Sequence, residues 1–180
     1  MKRIDITKVK GVKEFLLDFI GEDGIAIIEL LAKNGVVDEF KIAEMLGSEV
    51  NSVRSLLYKL YSKKIVSYTK ERDEEKGWWI YSWEVHSQKI LNLLKAKKAQ
   101  MLDEVERKVE KKKNTHLYHC PVCLIVFPFS EAMDNVFQCP SCGGQLQHKS
   151  DEEEIKSLEE TRKVLRVEIK ALDETIKGIQ

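Results

Sequence analysis

No stretch of this 180-residue chain approaches the run of about eighteen apolar residues that a membrane span requires. Its start, Met1-Lys2-Arg3-Ile4-Asp5, lacks the apolar core and small-residue cleavage site of an export signal. Together these absences predict a soluble, cytoplasmic protein with no membrane partner. Neither sign of charge is in excess: thirty Lys and Arg balance thirty Asp and Glu. That balance argues against unassisted, high-affinity duplex binding, which depends on many phosphate contacts and shows as a basic domain. Histidines number only four, no glycine-rich phosphate loop is present, and no paired acid and base carboxylates stand in a recognisable context. The sequence therefore supplies no catalytic constellation, and no enzyme is expected.

What the chain does have is four cysteines in two matched steps, Cys120-Pro-Val-Cys123 and Cys139-Pro-Ser-Cys142, with fifteen residues between them. This spacing lies in the window of a tetrahedral thiolate site. Two residues between thiolates let one tight turn aim both sulfurs at an ion about 2.3 Å away. A disulfide framework fits poorly with the missing export signal. A redox pair would place a single Cys-x-x-Cys at the start of a helix after a strand. Four protein ligands leave no open coordination position, so the predicted site is structural. Zinc is the expected ion, one per chain, with iron in the same cage as the alternative. His119 and His148 stand close in sequence, but the thiolates complete the shell, so both are expected to be exposed or outside the ligand set. The few apolar residues of 115–150 make a marginal core, whereas structural zinc contributes roughly 10 to 16 kcal/mol of apparent folding free energy. Metal binding and folding are thus expected to be one event. Short β segments at 117–119, 125–127, 136–138 and 145–147 flank the two knuckles, and Gly143-Gly144 supplies permissive backbone after the second. That pattern is a zinc ribbon.

Residues 1–85 read as a compact helical domain closed by a hairpin. A helix is predicted over 7–20, with Val9, Val12, Phe15, Leu16 and Phe19 on one side. A second, over 24–33, is dense enough in Ile and Leu to imply burial on most faces. A third, over 38–46, starts acidic and stops at Gly47, and Ser48 is the expected N-cap of a fourth over 49–63. Two helices joined by a glycine turn make a helix-turn-helix. The β-rich runs 65–69 and 78–83 then form a hairpin, completing a winged helix. The hairpin tip, 71–76, carries four acids against two bases, which phosphates would repel. The fourth helix carries Arg54, Lys59, Lys63 and Lys64 against Glu49. These bases, with Trp78 and Trp79, are candidate contacts to a nucleic acid or protein, the solvated or protein-facing reading being favoured for the helix. Alternation puts Trp79, Tyr81 and Trp83 on one side of the strand and Trp78 and Ile80 on the other. One set is expected to fill the core and the other to face a partner.

Residues 86–114 contain no Pro or Gly and predict one linker helix of roughly 40 Å, separating the two modules and ending in Lys111-Lys112-Lys113. Residues 151–180 predict an amphipathic, coiled-coil-type helix. Ser150 caps it, and Ile155, Leu158, Arg162, Leu165, Ile169, Leu172 and Ile176 fall on a heptad seam. Such a seam needs another helix, in this chain or in a partner. The expected class is α+β, mainly α: winged helix 1–85, linker helix 86–114, zinc ribbon 115–150 and C-terminal helix 151–180.

That order, with Cys120, Cys123, Cys139 and Cys142 behind a winged helix and a Trp-rich hairpin, resembles the archaeal transcription factor E alpha family, the counterpart of the large subunit of eukaryotic TFIIE. The resemblance covers nearly the whole chain. It implies a non-enzymatic basal factor that joins the preinitiation complex and favours promoter opening. It also implies RNA polymerase as partner, with the winged helix at the clamp and upstream promoter DNA and the ribbon toward the stalk. Promoter DNA would be secondary, and the TATA-binding protein and a beta subunit at the C-terminal helix are further expected partners. The alternative is a sequence-specific winged-helix repressor with a structural zinc module, dimerising through its C-terminal helix. A rubredoxin-like electron carrier would instead hold iron.

Overall fold

The computed structural model describes residues 6–74 and 77–179, so part of the acidic hairpin tip and the start of the chain lie outside the described residues. The fold is α+β and mainly helical, with seven α-helices and two small sheets among the described residues. No helix there is long and apolar enough to cross a membrane. The chain divides into two compact units: one runs through Lys97 and takes in the chain again from Ala171, and the other spans Lys98–Lys170.

The first unit opens with a 3-10 turn, Ile6–Lys8, followed by α1 (Val12–Ile20). The expected helix over 7–20 is therefore shortened at its start. Gly11 adopts a left-handed backbone, φ 82°, and breaks the helical path just before Val12. Helix α2 (Glu22–Asn34) follows at once and sinks Ile27, Ile28 and Leu31 into the core. Helix α3 (Glu39–Leu46) is capped by Asp38, whose Oδ1 accepts the Lys41 N–H at 2.8 Å. Helix α4 (Val50–Ser62) buries Val53, Leu57 and Leu60. The expected Ser48 cap is not made: Glu49 holds the N-cap position without a side-chain bond, and the Ser48 hydroxyl donates to the Leu46 carbonyl instead.

Strands β2 (Val66–Arg72) and β3 (Trp79–Val85) form the hairpin. A two-residue strand, β1 (Val37–Asp38), adds to it through Val37 opposite Trp83, giving the antiparallel order β1-β3-β2. Sequence periodicity gave no sign of β1. The aromatic alternation is also corrected: of Trp79, Tyr81 and Trp83, only Trp83 is fully buried, at 0% exposure, while Trp79 is open to solvent. The base of β2 and β3 lies on the helices, and their outer halves run beyond the core. Tyr58 and Tyr61 of α4 and Tyr68 of β2 ring Trp83, Tyr58 meeting it edge-on at 5.7 Å.

Helix α5 (Ser87–Asn114) seats Ile90, Leu91 and Leu94 in the first unit's core. Helix α7 (Glu152–Lys177) answers the question left by the heptad seam. Leu172 is buried in that same core, with Ile176 packed against it, and Lys95 of α5 pairs with Asp173 of α7.

The second unit holds the rest of both helices. There α5 and α7 are joined by Lys98 to Glu168 at 2.8 Å, Glu106 to Arg166 at 2.6 Å and Lys113 to Glu159 at 2.6 Å. In the sequence between these helices comes a sheet of order β5-β4-β6, built from β4 (Leu117–His119), β5 (Val126–Pro128) and β6 (Gln147–Lys149). The expected strand over 136–138 is absent. Helix α6 (Phe129–Asp134) ends just before it, and the chain then turns through left-handed Val136 and Phe137. Only Gln138 makes a bridge, to Gln145.

Candidate metal centre

The four cysteines converge. Their sulfurs all lie within 4.8 Å of one another, with Cys120 and Cys142 3.5 Å apart. A tetrahedron with metal–sulfur bonds of about 2.3 Å has sulfur–sulfur edges of about 3.8 Å, so the donor set has the dimensions and chemistry to hold one ion.

Two matched turns produce this convergence. The Cys120 N–H donates to the Ile125 carbonyl at 3.0 Å and the Leu124 N–H returns to the Cys120 carbonyl at 2.8 Å. In the second knuckle the Cys139 N–H donates to the Gly144 carbonyl at 2.7 Å and the Gly143 N–H to the Cys139 carbonyl at 2.8 Å. Each turn needs a left-handed residue directly after its second cysteine. Gly143 meets that need freely at φ 75°, whereas Leu124 adopts φ 59° with a side chain. Gly144 lies behind the sulfurs, where a Cβ would sit 3.4 Å from the Cys142 Sγ and 3.8 Å from that of Cys120.

The thiols are electrostatically unequal. The Cys123 N–H donating to Cys120 Sγ pulls the Cys120 thiol down to about 7. Cys123 is pushed up to about 12, first by its hydrogen bond with Cys142 and then by burial. The cluster gathers four sulfur donors at one point, and a bound cation would compensate the charge that thiolate ligands carry. The apolar support is small: Phe127, Ala132 and Leu146 are buried beside Cys120 and Cys139, with Tyr118 and Phe137 packed against them. His148 is exposed and meets Tyr118 edge-on at 5.4 Å, and His119 is half-buried in β4. Neither joins the sulfur cluster.

The other candidate residues stay apart from this centre. Arg54 is held by Glu39, its Nε donating to Oε2 at 3.1 Å and its Nη2 to Oε1. That hydrogen bond raises the Arg54 pKa further. Glu39, 1% exposed, is the one buried charged residue among those described. Lys63 lies 4.2 Å over the Phe19 ring, while Lys59 and Lys64 face solvent. Trp78 stacks on Phe40 at 6.4 Å, and Lys70 lies 5.0 Å over Trp79. Sequence reading missed Phe40 and Glu39, which meet their partners only through tertiary contact and leave no local signal.

Comparison with known proteins bears on most of the chain. A family model described as TFIIE alpha subunit matches residues 10–114. The transcription factor E of Methanocaldococcus jannaschii is 40% identical over 149 residues, covering 83% of this chain and 86% of the relative. That of Metallosphaera sedula is 34% identical over 169 residues, covering 93% and 94%. That of Methanococcus aeolicus is 31% identical over 160 residues, covering 88% and 92%. A match of 149 residues in a chain of 180 necessarily spans the four cysteines. The class these matches define is the general transcription initiation factor. The chain belongs to the TFIIE alpha subunit family.

Proposed function

We propose that the chain is a basal initiation factor that binds RNA polymerase in the preinitiation complex and stabilises promoter opening, without catalysing a reaction. In this reading α3, the Gly47 turn, α4 and the β2-β3 hairpin form a winged helix. The module around the cysteines is a zinc ribbon, with one structural Zn(2+) held by Cys120, Cys123, Cys139 and Cys142. A closed thiolate shell offers no position for substrate, so the ion's contribution is to folding. The observation that carries the reading is family membership of a chain with no net charge. Such a chain suits docking to a large protein machine, with promoter DNA a secondary contact. Lys59, Lys63, Lys64, Trp78 and Trp79 are the proposed contacts to polymerase or DNA in the first unit. Arg54, already held by Glu39, would contribute through the shape of α3 and α4. The polymerase clamp and stalk, the TATA-binding protein and a beta subunit remain the proposed partners, in the cytoplasm. The factor acts by binding the open state more tightly than the closed one, since a ligand shifts an equilibrium only by that difference.

Capture of the protein on immobilised archaeal RNA polymerase, run beside a gel shift on bare promoter duplex, tests this. Retention on polymerase with feeble duplex binding is expected. Tight, site-selective duplex binding without capture would instead establish the repressor.

A further inference from the structure

Helices α1 and α2 enclose an open groove of about 500 Å³ on the surface of the first unit. Its floor is apolar: Leu17, Ile25 and Ala26. Leu17 lies off the stripe by which α1 enters the core through Val12, Phe15 and Leu16, and is 46% exposed. The rim is acidic. Glu22 and Glu29 flank Ile25 and Ala26 along one face of α2, and Glu14 stands beside Leu17 on α1. Lys13, the groove's one cation, is paired with Glu29 at 3.2 Å. Among the described residues, neither the Glu14 nor the Glu22 carboxylate has a partner.

We infer that this groove docks a basic amphipathic helix of a partner protein, with an apolar side chain over Leu17 and Ala26 and Lys or Arg reaching Glu14 and Glu22. The chemistry selects that occupant. An apolar floor favours an amphipathic helix laid on its hydrophobic face. An acidic rim attracts cationic side chains and repels phosphates, which excludes nucleic acid and anionic lipid surfaces. The groove shares no residue with the metal centre or with the contacts proposed above, so its failure would leave the initiation-factor reading standing.

The test is fluorescence anisotropy of the full chain with a labelled amphipathic helical peptide made of Leu and Lys, beside the same peptide with Glu for every Lys. Binding of the Leu/Lys peptide and none of the Leu/Glu peptide is expected. Leu17→Asp and the double reversal Glu14→Lys, Glu22→Lys should each weaken binding by about tenfold or more. The pair Glu104→Lys, Glu110→Lys, which makes the same charge change on the exposed face of α5, should leave it unchanged. Both groove carboxylates are exposed, so the double reversal is expected to keep the far-ultraviolet circular dichroism of the parent even if Leu17→Asp does not. Equal weakening by the α5 pair would reduce the effect to bulk charge and overturn the inference. So would sedimentation showing a dimer of the free protein that Leu17→Asp dissolves, since the groove would then belong to a second copy.

Discussion

Arg54 stood in the sequence as one of four basic residues over 54–64, and nothing local set it apart. Its buried partner Glu39 lies fifteen residues earlier. Removing one member of such a pair leaves the other charge uncompensated inside the protein. Arg54→Ala is expected to lower stability by about 3 kcal/mol, while Lys59→Ala on the same helix should stay within about 0.5 kcal/mol. Urea unfolding of the two variants decides it, and equal losses would show that the pair has no structural role. Leu124 offers a second case. It occupies a left-handed position that Gly143 fills in the twin knuckle, yet its side chain is 76% exposed. A left-handed Leu carries roughly 1–2 kcal/mol of strain, against roughly 0.5–1 kcal/mol of added chain entropy for a glycine. Leu124→Gly is therefore expected to leave the thermal stability of the metal-loaded module unchanged or raised, whereas Gly143→Leu should lower it. A module that melts early with Leu124→Gly would mean that this side chain supports the fold.

Helices α2 to α5 and α7 were legible because their apolar spacing and stop signals are local. The four cysteines were legible for the same reason, since two short turns carry the geometry and only their meeting is tertiary. Strand β1 was not legible: two residues define no period, and it exists only by pairing with Trp83 and Ser82 of β3. Helix α6, six residues long, sat under a β-rich composition, and only Pro128 ahead of Ser130-Glu131 hinted at a helix start. The seam of α7 was visible but its partner was not. Leu172 is 3% exposed within the core that holds Ile90, Leu91 and Leu94. Leu172→Ala should accordingly cost about 2–5 kcal/mol and lower the melting of the first unit. An unchanged melt, with a concentration-dependent mass lost in the variant, would return the seam to a partner subunit. The metal module permits a sharper measurement. Chelation is expected to abolish amide-exchange protection across β4, β5 and β6 while leaving α2 and α4 protected. Persistent protection in those strands would mean that the small cluster around Phe127 and Leu146 folds without an ion.

For the whole molecule, family membership, balanced charge and four converging thiols support the reading proposed above, a factor that would work by binding. On that reading its effect on transcription would appear as a shift between closed and open promoter states, in proportion to its preference for one of them. The most direct measurement is the fraction of promoter DNA melted, read by permanganate reactivity of unpaired thymines with purified archaeal polymerase and its initiation factors. Zinc-loaded protein is expected to raise that fraction, and the variant Cys120→Ser, Cys139→Ser to lose the effect. A melted fraction indifferent to the intact protein, or raised equally by the variant, would contradict the account.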